Sequence, residues 1–261
     1  MGALENADPT AVPLAEQRRR RLPAATALEW LKSGWRDFIT DPGPSAAYGI
    51  AVFAISLAII WGLFALELDY ILFPALAGFM VIGPLMAIGL YQKSRDIEAG
   101  NEVSLGRMIF VQPESGPQVW FTGVILCLLM LVWMRAAVII YALFFGLRPF
   151  PGLGGVAHML FMTPVGWAML LVGTVVGGLF AAFSFAISVF AVPMLLAEKV
   201  DAFTAMGTSI SMVFRNLPVM LAWGAIVLIL FLLSVLTGLF GLIVAFPVVG
   251  HATWHAYRAI R

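Results

Sequence analysis

Long apolar runs alternate with short polar stretches along this chain. The runs cover residues 46–66, 70–91, 118–143 and 165–196, and a further apolar stretch extends from 218 to 257. A helix needs about 20 predominantly apolar residues to cross the hydrocarbon core of a bilayer, and each of the first four runs is at least that long. The last stretch, taken as one straight helix, would extend roughly 60 Å, about twice a bilayer core. It is therefore divided near Thr237-Gly238, giving 218–236 and 240–257. The pattern predicts an all-α membrane bundle of six transmembrane helices. They form a single domain over residues 24–261, which follows a polar tail, residues 1–23, of disordered composition.

The polar stretches between hairpins carry a second pattern. Over residues 24–40, Leu28, Leu31, Trp35 and Phe38 share one helical face, with Glu29, Lys32 and Arg36 elsewhere. Val103 to Phe110 is a shorter version, ending at Pro113 and Pro117, and Phe203, Met206, Ile210 and Val213 share a face before Pro218. Each reads as an interfacial helix lying on the inner leaflet. The second, fourth and sixth runs each carry a proline, Pro84, Pro193 and Pro247, which predicts a kink in each. The chain thus reads as three pseudo-repeated units of interfacial helix, span, outer turn and kinked span.

Composition and charge sharpen this picture. The 261 residues are 62% hydrophobic and only 11% charged, against about 25% charged in soluble domains. A soluble core of this length has no room for so much apolar surface, so lipid is the solvent for the excess. With six spans, every Lys and Arg except Arg135 and Arg148 falls on one side. That distribution follows the positive-inside rule and places both termini in the cytoplasm of a cell bounded by an inner membrane. Removing one span would put Arg258 and Arg261 outside. Residues 1–23, with Arg18 to Arg21 not directly followed by an apolar segment, do not read as a signal peptide. The net charge of +1 points to no nucleic acid partner. The one cysteine, Cys127, has no partner for an intrachain disulfide or a thiolate metal site.

Few residues carry candidate chemistry, and none is singled out as catalytic. Arg135 lies within an apolar run, about 25 Å along the helix axis from Gln118, near the outer boundary. Glu67 and Asp69, in the first outer turn, fall at similar depth and are candidates for an ion pair with it. A ligand or proton site facing a cavity is the other reading. His251 and His255, four residues apart, share a face with Arg258. They read as a polar cluster at the inner interface, with Asp96, Glu98, Glu198 and Asp201 as candidate acidic partners. Alternatively the two imidazoles hold a metal or a haem. Ala252 occupies the place where a metallopeptidase motif needs Glu, and no phosphate loop, nucleophile elbow or zinc-spaced cysteine set is present. Gly173, Gly177 and Gly178 form a small-residue face for helix packing. Trp61, Tyr70, Trp120 and Trp167 fall near span ends, as an aromatic belt does.

Four strings resemble the bacterial domain-of-unknown-function 2189 family of integral membrane proteins. They are Gly34-Trp35-Arg36-Asp37-Phe38, the run from Gly83-Pro84 through Tyr91 to Ser94-Arg95, the stretch from Ser188 to Pro193-Met194-Leu195-Leu196, and the ending from Pro247 through His251-Ala252-Thr253-Trp254-His255 to Arg258. The similarity extends over the chain after about residue 28. Some members are labelled cytochrome c oxidase subunits, so the resemblance implies the lipid bilayer and oxidase subunits as partners. A haem-copper catalytic centre needs twice the spans and six ligating histidines, and this chain has three. Three functions follow as expectations: a non-catalytic accessory, assembly or scaffold component, a small-solute transporter or channel, or a haem- or metal-binding protein through His251 and His255.

Overall fold

A computed structural model of the chain describes residues 22–146, 148 and 150–261. The polar N-terminal segment, with Arg18 to Arg21, lies outside the described residues except for Leu22 and Pro23. The described residues form helices and no strand. In chain order these are α1 (Thr26–Ile39), α2 (Pro42–Ala65), a 3-10 turn (Asp69–Ile71), α3 (Leu72–Met86), α4 (Ile88–Ala99), α5 (Leu105–Ile109) and α6 (Gly116–Phe145). They are followed by α7 (Gly152–Phe161), α8 (Pro164–Ser188), α9 (Ala191–Ala197), α10 (Ala202–Arg215), α11 (Leu217–Leu236) and α12 (Leu242–Ile260).

Five helical stretches are long and apolar enough to cross a membrane: Pro42–Ala65, Asp69–Ala99, Gly116–Phe145, Pro164–Ala197 and Leu217–Leu236. The sixth run is also a helix, α12, of 19 residues. Its first half is apolar, but His251, His255 and Arg258 make its second half polar, so composition alone gives five candidate spans rather than six. The division of the last apolar stretch falls at Thr237–Gly241. Gly238 and Leu239 there take the left-handed conformation, and the Leu239 N–H closes the helix end on Ser234 O at 2.7 Å. Glu67 is left-handed at the end of α2 and precedes a matching closure, Leu68 N–H to Leu63 O at 2.7 Å. The long loop after α6 contains a helix of its own, α7.

Two of the three helices expected to kink break near their prolines, and neighbours take up backbone groups left free at the breaks. The second run breaks at Ala87, three residues past Pro84, and the Tyr48 hydroxyl donates to Met86 O at 2.6 Å. The fourth breaks between Ser188 and Ala191, ahead of Pro193. There Ser209 of α10 inserts between the separated partners, donating to Ala186 O at 2.7 Å and accepting from Phe190 N–H at 3.2 Å. α12 stays helical through Pro247. The Ile243 carbonyl that Pro247 cannot bond lies over Gly49, where an added Cβ would sit 2.1 Å from the oxygen.

The packed core gathers at one end of the bundle. Fully buried side chains such as Leu90, Tyr91, Phe190, Leu195, Trp223, Trp254 and Tyr257 come from α4, α9, the start of α11 and the second half of α12. α1 packs along α12. Its buried positions are Ala27, Trp30, Gly34, Asp37 and Phe38. Leu28 and Trp35, expected to share the apolar face with Leu31 and Phe38, stay exposed, so half of that stripe is left uncovered by protein. Gly34 explains the choice: α12 passes so close that a Cβ at Gly34 would sit 2.5 Å from Val248 O and 2.6 Å from Ala252 Cβ. The same division holds on α10, where Met206 and Val213 are buried and Phe203 is exposed.

Candidate functional site

The second half of α12 carries His251, His255 and Arg258 on one face, against α1 and α4. Three glycines let the backbones meet there. Gly34 lies on α12, Gly250 accommodates the Leu90 side chain, and Gly89 sits under Met108 O of α5 and the Tyr48 ring, each with no room for a Cβ. Polar side chains then bridge the helices, because a group buried between apolar helices needs a partner.

The bridges form one continuous chain. Lys93 of α4, fully buried at its side chain, donates to Asp41 O at 2.7 Å and to Ser45 Oγ at 2.8 Å. Asp41 holds a left-handed conformation at the start of α2. Ser45 Oγ lies 2.9 Å from His251 Nε2, and His251 Nδ1 lies 2.9 Å from Ser94 Oγ and 3.1 Å from Leu90 O. Ser94 donates to Asp37 Oδ2 at 2.6 Å, and His255 Nε2 lies 2.8 Å from the same oxygen. His255 Nδ1 is 3.9 Å from Glu98 Oε1, and Arg258 Nε is 3.4 Å from Glu98 Oε2 at the surface.

Proton counting assigns the hydrogen positions. The single Ser94 proton is committed to Asp37, so the Ser94 oxygen accepts from His251 Nδ1–H, shared with Leu90 O. His251 Nε2 is then the acceptor, taking the Ser45 proton, while the Ser45 oxygen receives the Lys93 donor. Burial alone would raise the Asp37 carboxyl. The bonds from His255 and Ser94, with the adjacent imidazoles, outweigh it and hold the group below its ordinary value.

Two further clusters tie the same end together. Arg261 makes a two-bond contact with Glu198 at 2.8 and 2.7 Å, joined by the Tyr257 hydroxyl. The Arg261 bonds hold the Glu198 carboxyl below its ordinary value, against the opposing effect of burial. Asp96 accepts from Arg107 at 2.6 and 3.0 Å and from Gln92 at 3.0 Å. Among the four acidic candidates, Glu98 is therefore the one near His255 and Arg258, whereas Asp96 and Glu198 serve other partners and Asp201 caps α10 through Thr204 N–H. Asp37, Ser45, Lys93 and Ser94 were not foreseen as partners. The usable signal was the spacing Ala27, Trp30, Gly34, Asp37, which marks a second and less apolar face of α1.

The outer candidates are arranged differently from expectation. Arg135 is exposed on α6 and makes no ion pair with Glu67 or Asp69 among the described residues. The polar contact nearby is Trp133 Nε1 donating to Pro74 O at 3.1 Å. Of the three small residues on α8, only Gly177 meets a neighbour, with a Cβ position 3.0 Å from the Trp133 ring. At Gly173 and Gly178 an added Cβ would meet nothing within 4 Å.

His251 has no nitrogen free for a metal or haem. Both nitrogens of the buried His251 are already engaged, by Ser45 on one side and by Ser94 and Leu90 on the other. An iron could reach neither without displacing those bonds. The described residues include no group of three or more His, Cys, Asp and Glu side chains placed to hold a metal ion.

A family model described as a predicted integral membrane protein (DUF2189) matches residues 72–197. This stretch runs from the start of α3 to the end of α9. It leaves out two of the four resembling strings, Gly34 to Phe38 and the ending around His251. No curated protein and no solved structure matches the chain.

Proposed function

We propose that this integral membrane protein, whose residues 72–197 belong to the DUF2189 family, is a non-catalytic accessory, assembly or scaffold component of a bacterial inner-membrane complex. Both termini lie in the cytoplasm on this reading, and respiratory oxidase subunits are the first partners to test. Arg135 carries it. A charge near the boundary of an apolar helix can reach the headgroups or be matched by a partner group. Arg135 is exposed on the side of α6 and has no ion-pair partner among the described residues, so a neighbouring protein is positioned to supply one. The surface around it leaves room for such a neighbour, since only 17% of the apolar stretch of α6 is buried.

The buried polar junction supports the same reading. Asp37, Lys93, Asp96 and His251 are buried, and each bridges helices or helix ends. That use suits a lock on helix geometry, with no group left over for chemistry. A small-solute transporter has less support, because the cavity among the spans has no charged lining residue.

Native mass spectrometry of the protein extracted from its own membrane tests the proposal. We expect a fixed-stoichiometry complex with other membrane subunits, which Arg135→Leu dissociates while the circular dichroism stays helical. A protein that leaves the membrane alone and moves solute across liposomes overturns it.

A further inference from the structure

Where the candidate span Asp69–Ala99 ends and Gly116–Phe145 begins, the chain folds over a polar pocket of about 330 Å³, a size within the range of small-molecule sites. α4 supplies Gln92, Arg95 and Asp96, and the chain from Arg107 to Glu114 closes over them. One guanidinium is firmly held. The Asp96 side chain is only 3% exposed and takes Arg107 on both oxygens, at 2.6 and 3.0 Å, with Gln92 Nε2 added at 3.0 Å. The other is held loosely. Arg95 donates to Leu196 O at 3.1 Å and reaches Glu114 Oε1 only at 3.5 Å.

Hydrogen-bond capacity of two kinds is left over. Arg107 Nη1, the remaining N–H groups of Arg95 and the Gln112 amide have no partner among the described residues. Guanidinium donors match phosphate oxygens in both shape and charge. Glu114 Oε2 and Gln92 Oε1 likewise receive no donor among the described residues. Arg107 already neutralises Asp96, so the charges open to a ligand are one cation, Arg95, and one anion, Glu114. Their complement is a zwitterion that carries a phosphate and, close beside it, a cation.

The rim points to the source. Phe110 lines the pocket and is 80% exposed, and Leu105 and Ile109 of α5 are exposed beside it. Trp120, at the start of α6, is 82% exposed. A short amphipathic turn with aromatic side chains outward suits the headgroup level of a bilayer. A headgroup seated in the pocket leaves its acyl chains over Phe110 and Ile109.

We propose that this pocket binds a phosphoethanolamine group, presented by a phosphatidylethanolamine of the adjoining leaflet. The phosphate accepts from Arg95, Arg107 and Gln112, and the ammonium donates to Glu114 and to Gln92 Oε1. A choline head has no N–H to give and a glycerol head has no positive charge, so neither satisfies both halves. The site does not depend on the accessory role above, which stands on Arg135.

Native mass spectrometry of the whole chain in detergent tests it. The protein is titrated with dioleoyl phosphatidylethanolamine, phosphatidylcholine and phosphatidylglycerol, and the first bound lipid is counted. We expect phosphatidylethanolamine to bind about tenfold more tightly than either of the others, the equivalent of roughly one charge-assisted hydrogen bond. Glu114→Gln removes the negative charge and leaves the backbone bond from Glu114 N–H to Leu196 O in place. It should erase the preference over phosphatidylcholine and tighten phosphatidylglycerol. Arg95→Gln should weaken phosphatidylethanolamine about tenfold. Soluble glycerophosphoethanolamine separates the sources. If it displaces the bound lipid at equal concentration, the head alone is the ligand. If only the whole lipid displaces it, the chains over Phe110 contribute, and either result sustains the pocket. Equal affinities for the three lipids in the parent, or the parent's ranking kept in Glu114→Gln, overturns it.

Discussion

The two ends of this bundle are built by opposite rules. At one end, α1, α4, α9 and the last turns of α12 meet through glycines and a chain of polar bonds from Lys93 to Arg258, and the large side chains there are fully buried. Toward the hairpin ends, α2, α6 and α11 carry large exposed apolar residues such as Ile59, Leu131, Leu143, Ile229 and Leu236. Lipid is no more polar than a leucine side chain, so apolar contact gives helices little reason to associate inside a membrane. The difference teaches where the specificity of such a fold resides. Polar bonds and close backbone approach select one arrangement at the packed end, and the apolar shafts follow from it.

The strongest way to break the comparison is to remove the acceptor that the packed end shares. Asp37→Ala strips Ser94 and His255 of their common partner and should destabilise the folded protein by about 3 kcal/mol or more, as broken buried charge networks do. Denaturant titration in detergent micelles reads this loss. His255→Ala removes one bond and should cost about 1 kcal/mol. The double variant should then lose less than the two separate losses combined, because both act on one network. Full additivity would mean that the chain of bonds is not a unit.

Glycine exchanges contrast the two ends directly. Gly34→Ala places a methyl group against Val248 O and Ala252 and should cost about 2 kcal/mol through overpacking. Gly173→Ala, in the middle of α8 with open space around it, should be neutral or stabilise by up to about 1 kcal/mol through helix propensity. Equal effects at both positions would erase the distinction between the ends.

Acid should loosen the packed end first. The Asp37 and Glu198 carboxyls are held below their ordinary values of 3.8 and 4.5, so the stability they contribute is fully present above those values. It is lost as the pH falls from the ordinary values through the lowered ones. Asp37→Asn should flatten that acid limb when unfolding midpoints are followed from pH 6 downward. An unchanged limb would show that other groups set it.

How much of this was legible in the sequence differs along the same line. The five long apolar helices and the division near Thr237 could be read from run length, since length is what the bilayer dictates. The polar junction could be read only from its α12 side. His251, His255 and Arg258 announce themselves by spacing, but their partners come from elements as distant in sequence as Asp37, and short-range periodicity carries no information about such pairings. Ser45 and Ser94 looked like ordinary polar residues. The apolar stripe of α1 was legible and yet misleading about packing, because Gly34 directs the adjoining face onto α12. The expected pairing of Arg135 with Glu67 or Asp69 rested on depth alone. Depth fixes height along a helix and leaves open which way the side chain faces.

The mildest probe leaves stability untouched. Cys127 is the one cysteine of the chain and is exposed on the side of α6. It stands at the twelfth position of that helix, so it lies about 17 Å from the first turn, near the middle of a slab of roughly 30 Å. A nitroxide attached there meets no packed neighbour and should change the unfolding midpoint by less than about 0.5 kcal/mol. Its relaxation should respond strongly to oxygen, which concentrates in hydrocarbon, and weakly to a water-soluble nickel chelate. The reverse ranking would put water beside α6. The exposed shaft would then be the wall of an aqueous path, and the division between a polar lock and lipid-facing shafts would fail at its apolar half.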